Sequence, residues 1–123
     1  MEKHTATQLF ESLSSGSRLD IYRLLVKLGL DGMVAGEIAA TLDMPANAAS
    51  FHLKDMTHAG LLTVQKEGRF QRYRANLPLM LELIAYLTEE CCAGHPEQCG
   101  DLLSASCCPD AARPPFSTTQ TEN

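Results

Sequence analysis

The chain has 123 residues, of which 45% are hydrophobic, and its formal net charge is −5 at pH 7. A chain of this length can bury one modest core, so we expect a single compact domain with tails. Because the N-terminus is polar and the apolar runs are short, we expect neither a signal peptide nor a membrane span, and a cytoplasmic location.

The negative charge is concentrated at the C-terminal end. Residues 1–88 carry nine basic and nine acidic side chains, whereas residues 89–123 carry one basic and six acidic side chains. Between Ala46 and Asn76, five basic side chains accompany two acidic ones, which gives that stretch a charge of +3. The overall acidity therefore does not exclude a nucleic-acid partner.

Apolar residues recur at helical spacing in five segments, which predicts five helices. The first spans Thr5 to Leu13, and the second begins after an N-cap at Ser17 and ends at Gly29. The apolar residues of the second helix are Leu19, Ile21, Tyr22, Leu24, Leu25 and Leu28. The other three helices are predicted over Val34–Leu42, from Pro45 to Gly60 with Ala49, Leu53 and Met56 directed inward, and along the apolar stripe Leu79–Leu87.

Two β-prone runs lie between the fourth and fifth helices. They span Leu61–Gln65 and Phe70–Ala75, and the polar connector Lys66–Arg69 between them contains Gly68. A glycine in a short connector of this kind predicts a β-hairpin. The predicted fold class is mainly α with a β-hairpin (α+β).

A pair of short helices followed by a basic hairpin is typical of a winged helix-turn-helix. In that fold the second helix of the pair enters the major groove of DNA and the hairpin, or wing, lies along the phosphates. The alternative to DNA contact is that the outer face of the second helix is solvated and contacts nothing. On the same helix, we expect His52 to make a structural hydrogen bond rather than to contact a base or bind a metal. The candidate DNA-binding residues are Asn47, Ser50, Phe51 and Lys54 on the helix and Lys66, Arg69, Arg72 and Arg74 on the hairpin.

The run from Thr41 to Pro78 resembles the ArsR family of metalloregulatory repressors. The motifs that carry the resemblance are S-x-H-L at 50–53, A-G-L-L at 59–62 and G-R-x-x-x-Y-R at 68–74, and the similarity extends over residues 6–88. The resemblance implies a winged-helix homodimer, paired through its first and last helices, that binds an inverted-repeat operator in double-stranded DNA. It also implies release by a metal or metalloid, and no enzymatic activity. At Phe51 this chain departs from the family, which often has arginine there.

Two effector sites known in that family lack their ligands here. Founding members carry a Cys-Val-Cys segment on the helix before the recognition helix, whereas the corresponding residues 33–39 contain no cysteine. Other members bind divalent metals through Asp and His on the last helix, but residues 77–90 contain neither.

A cluster of cysteines follows the last predicted helix. Cys91, Cys92 and Cys99 lie within nine residues, and disulfides are improbable in a reducing cytosol. Trivalent arsenic and antimony are soft and take three thiolates, so we expect As(III), or Sb(III), as the effector bound by these three residues. The alternatives are zinc or cadmium, with a further ligand from His95 or the pair Cys107 and Cys108, and thiol redox sensing or no function.

The predicted organisation has three parts. Residues 1–90 form the DNA-binding and dimerisation domain, residues 91–108 form a cysteine-rich effector segment, and residues 109–123 form a disordered tail rich in Pro, Ser and Thr. A thiol enzyme is disfavoured because the sequence offers no evident activating group for a nucleophilic cysteine. A metal-storage protein is disfavoured because it has no need of a basic wing.

Overall fold

A computed structural model describes residues 1–90, which form five α-helices and a three-stranded antiparallel sheet. The predicted effector segment, the three cysteines and the tail lie outside the described residues. The mainly α fold with a β-hairpin is confirmed. The elements are α1 (Lys3–Leu13), α2 (Gly16–Leu28), β1 (Met33–Val34), α3 (Ala35–Thr41), α4 (Ala46–Ala59), β2 (Leu62–Glu67), β3 (Phe70–Ala75) and α5 (Leu77–Thr88), with a short 3-10 turn at Gly29–Asp31.

The ends of the helices follow local capping chemistry. Ser15, and not the predicted Ser17, caps α2, because its hydroxyl oxygen accepts a hydrogen bond from the backbone N–H of Arg18 at 3.4 Å. The predicted ends at Gly29 and Gly60 are confirmed, and both glycines have positive φ angles, of 61° and 98°. The N–H of Gly60 donates to the carbonyls of the last turn of α4, which a left-handed residue makes possible.

The core lies between the helices and the inner face of the sheet. The predicted inward side of α4 is confirmed, because Ala49, Leu53 and Met56 are all buried. Leu19 is exposed, contrary to prediction, because it lies on the flank of α2 beside the buried stripe that contains Ile21 and Leu25. The largest fully buried side chains are Leu9, Ile21, Leu25, Ile38, Leu53, Met56 and Leu61.

The hairpin is tighter than the sequence predicts. Glu67 pairs with Phe70, so only Gly68 and Arg69 connect β2 to β3, and Lys66 belongs to a strand. Gly68 has a φ of 65°, as expected for the first position of a type II′ turn. This turn matches the twist of the two strands.

A third strand, β1, was not predicted. Met33 pairs with Tyr73 and Val34 with Arg72, so the strand order is β1-β3-β2. Two residues are too few to show an alternating pattern, and the helix predicted to begin at Val34 in fact begins at Ala35. The sheet therefore joins the segment before α3 to the hairpin.

Gly32 permits the close approach of these two segments. Its φ is 57°, and a Cβ at this position would lie 2.4 Å from the backbone oxygen of Tyr73. Any side chain would force β1 away from β3. Among residues 1–90, no helix is long and apolar enough to cross a membrane.

We predict that Gly32→Ala destabilises the protein by about 2 kcal/mol or more. The alanine would have to adopt a left-handed backbone conformation, and its Cβ would clash with the backbone of Tyr73. The measurement is urea unfolding at a fixed protein concentration. Gly16→Ala is the matched control, since nothing lies within 4 Å of a Cβ at that position. Equal stability of the two variants would contradict the role assigned to Gly32.

Candidate nucleic-acid interface

A short turn between α3 and α4 fixes the angle of the predicted recognition helix. Asp43 takes a left-handed conformation with a φ of 55°, which Asp tolerates better than most residues. The N–H of Met44 then donates to the carbonyl of Ala39 at 3.0 Å, and Pro45 precedes the first turn of α4 in an extended conformation. The two helices thus form a helix-turn-helix unit.

The outer side of α4 is open to solvent. The four predicted contact residues on this helix are all exposed, and Phe51 has 65% of its surface exposed. The side-chain oxygen of Asn47 accepts from the N–H of Ala48 at 3.0 Å, which leaves the side-chain amide group as a donor. This side presents a donor, a hydroxyl, an aromatic ring and the ammonium of Lys54.

Two of the four wing bases bind within the protein. The Nε of Arg72 donates to Glu67 Oε2 at 3.0 Å, and its Nη1 donates to the carbonyl of Asp31 at 3.0 Å. The hydrogen bond to Glu67 is the main reason why the pKa of the Arg72 guanidinium is raised. Arg74 donates from Nε to the carbonyl of Leu30 at 2.7 Å and from Nη1 to Gln65 at 2.8 Å. These two arginines attach the wing to the turn that follows α2.

The other two wing bases are exposed and uncommitted. The side chains of Lys66 and Arg69 make no hydrogen bond or ion pair with any described residue. They lie at the tip of the hairpin, beside the exposed ring of Phe70. The structure therefore favours Lys66 and Arg69 over Arg72 and Arg74 as phosphate contacts. For the eight candidate residues of helix and wing, contact with DNA stays a prediction.

Arg18 is a residue of this region that the sequence did not indicate. Its Nε donates to Nδ1 of His52 at 3.0 Å, and its Nη1 forms an ion pair with Oδ2 of Asp55. The expected structural hydrogen bond of His52 is thereby confirmed. An arginine in the first turn of a helix gives no signal of a partner 34 residues away.

A polar cleft of about 360 Å³ lies beside this network, lined by residues of α1, α2 and α4. Its members include Ser12, which is buried and whose hydroxyl donates to Asp55 at 3.4 Å. Among the described residues, no group of three or more His, Cys, Asp or Glu side chains could hold a metal ion.

Comparison with known proteins agrees with this geometry. Residues 13–65 match a family model described as a helix-turn-helix domain. No curated protein matches the sequence.

Several solved structures share the fold. HlyU from Vibrio cholerae is 29% identical with a TM-score of 0.54, covering 71% of this chain and 97% of its own. An ArsR-like transcriptional regulator from Rhodococcus is 25% identical with a TM-score of 0.61, covering 84% of this chain and 93% of its own.

A third structure is the homodimeric winged helix-turn-helix DNA-binding domain of a possible ArsR-family regulator from Mycobacterium bovis. It is 25% identical with a TM-score of 0.56, and the match covers 75% of this chain and 85% of that one. Residues 13–65 thus form a helix-turn-helix domain, and residues 1–90 have the winged helix-turn-helix fold that HlyU and the ArsR-like regulator from Rhodococcus share.

Proposed function

We propose that the chain is a homodimeric repressor of arsenic-resistance genes. It binds an inverted-repeat operator and is released when trivalent arsenic, or antimony, binds Cys91, Cys92 and Cys99. The observation that carries the DNA-binding part is the exposed outer side of α4 together with a wing tip that has two uncommitted bases.

Recognition of DNA is divided between helix and wing. Asn and aromatic side chains on α4 can read base edges and thymine methyl groups, whereas Lys66 and Arg69 can neutralise phosphates. Because the domain is small and α4 is a single reading helix, one copy contacts too few base pairs for a specific site. A dimer with two copies of α4 would match a symmetric operator.

The last helix supports the dimer. Leu83 of α5 is buried, while Leu81 on the opposite side of the helix and Leu87 one turn after Leu83 have 62% and 56% of their surfaces exposed. Phe10 of α1 is also exposed. Apolar side chains on a terminal helix of a small domain need a covering partner, and a second copy of the chain supplies one. The homodimeric relative from M. bovis supports the same assembly.

The proposed effector site follows the pairing helix directly. Helix α5 ends at Thr88, and Cys91 comes three residues later. Three thiolates suit a trivalent metalloid, and drawing them together would alter the end of the helix that pairs the two copies. A coupling of about 2–3 kcal/mol would lower operator affinity by tens to over a hundredfold.

Changes to the wing should separate phosphate contacts from structural arginines. Lys66→Ala and Arg69→Ala should each weaken DNA binding and lower the slope of log affinity against log salt by about 0.9, because each removes one neutralised phosphate. The measurement is fluorescence anisotropy with operator DNA over a salt series. Arg74→Ala is the comparison, since its side chain binds Leu30 and Gln65, and its slope should stay close to that of the wild type. An equal loss of slope in all three variants would contradict this division.

Leu81→Glu should dissociate the dimer, because it buries a charge in each half of the pairing surface. Sedimentation should then show a monomer with at least tenfold weaker operator binding. Glu82→Gln, at an exposed neighbouring position, is the control and should remain dimeric. A dimeric Leu81→Glu variant would place the interface elsewhere.

Replacement of Cys91, Cys92 or Cys99 by Ser should leave operator binding intact and abolish release by arsenite, since two thiolates hold trivalent arsenic far less well than three. The measurement is a gel shift with arsenite, antimonite, zinc or cadmium titrated in turn. Cys107→Ser and Cys108→Ser are matched controls that should keep normal release. Release by zinc or cadmium alone, with arsenite inactive, would replace the metalloid by a divalent effector.

A further inference from the structure

We propose that Arg18 is a positioning residue for DNA recognition: it fixes the recognition helix α4 and the conformation of Phe51 without contacting DNA itself. This inference rests on the proposed DNA-binding function. It concerns a residue on α2, outside the helix and wing that face the duplex.

Arg18 reaches three side chains on one flank of α4. Its Nε and Nη1 occupy acceptors on His52 and Asp55, which are three residues apart and therefore neighbours on the helix surface. The planar guanidinium holds these two donors in a rigid fork, so the two bonds fix the helix in translation and rotation together. A lysine ammonium has no such fixed fork.

Arg18 itself is held in place. The N-cap Ser15 binds its backbone N–H, and its side chain has only 15% of its surface exposed. Asp55 also accepts from the buried hydroxyl of Ser12 on α1. The Asp55 carboxylate therefore connects the recognition helix to both α1 and α2.

Phe51 is the exposed residue that this network constrains. The centre of its ring lies 5.7 Å from the guanidinium carbon of Arg18 and 5.9 Å from the His52 ring, in an edge-on arrangement with an interplanar angle of 62°. An exposed phenylalanine without neighbours would sample several rotamers. The guanidinium and the neighbouring imidazole ring together restrict Phe51 to the conformation that the DNA meets.

The hydrogen bond from Arg18 also sets the tautomer of the His52 ring. Since Nδ1 accepts from Arg18, the neutral ring carries its proton on Nε2.

Because its hydrogen bonds already go to α4 and it is largely covered, Arg18 is poorly placed to bind a phosphate. Its loss should therefore reduce sequence recognition rather than electrostatic attraction.

The experiment uses the full chain and a duplex selected from a random library by the wild-type protein. Arg18→Ala and Arg18→Lys should each bind that duplex about tenfold more weakly, similar to the loss of one base contact, with the salt slope and the affinity for unrelated DNA unchanged. Arg23→Ala, an exposed charge on the same helix, is the control and should match the wild type.

A double-mutant cycle with Phe51→Ala tests the mechanism. Once Phe51 is absent, removal of Arg18 should cost less, so the two losses should not add. If the slope of log affinity against log salt falls by about 0.9 in the Arg18 variants, Arg18 is a phosphate contact and the proposal is overturned. Wild-type affinity in Arg18→Lys, or equal loss on selected and unrelated DNA, would also overturn it. If Arg18→Ala unfolds at a temperature well below that of the wild type, the binding data of Arg18→Lys test the proposal instead. Failure of the wild type to select any sequence would instead refute the proposed function.

Discussion

Burial of Ala49, Leu53 and Met56 against the core determines which side of α4 meets solvent. These positions recur every three or four residues, so the opposite side is exposed as a geometric consequence. The turn at Asp43 and the glycine at position 60 set where the helix begins and ends. The surface proposed to face DNA thus depends on apolar contacts made on the other side of the same helix.

The arginines of the domain have different physical roles. Arg72 and Arg74 satisfy the carbonyls of the turn after α2, and Arg18 connects two helices through His52 and Asp55. Among the four bases of the wing, Lys66 and Arg69 at its tip keep their charges for another molecule. A count of basic residues overstates the charge available to DNA, because half of the wing's bases are engaged within the protein.

Much of the fold could be predicted from the sequence because it is encoded locally. Helical periodicity located all five helices, and the glycines ended two of them. The third strand was not predictable, because Met33 and Val34 form a strand only by pairing with a segment 38 to 40 residues away. Ser15 was missed in favour of Ser17 since both are plausible caps.

The candidate site shows the same limit. Exposure of Asn47, Ser50, Phe51 and Lys54 followed from the inward pattern of α4, whereas the commitments of Arg72 and Arg74 depend on carbonyls of the preceding turn. Arg18 could not be found, because its partners are distant in sequence. The cysteines lie outside the described residues, so their role is inferred from donor chemistry alone.

The short strand β1 has a consequence for the shape of DNA that the protein accepts. It leads directly into α3 and pairs with β3, so the reading unit and the wing are joined by backbone hydrogen bonds. Neither can swing far without breaking that ladder. In the proposed complex, the protein therefore sets the distance between the major groove and the neighbouring backbone, and a duplex of different groove width would have to deform to fit. Local flexibility of the operator would then contribute to its selection, even at base pairs that no side chain touches.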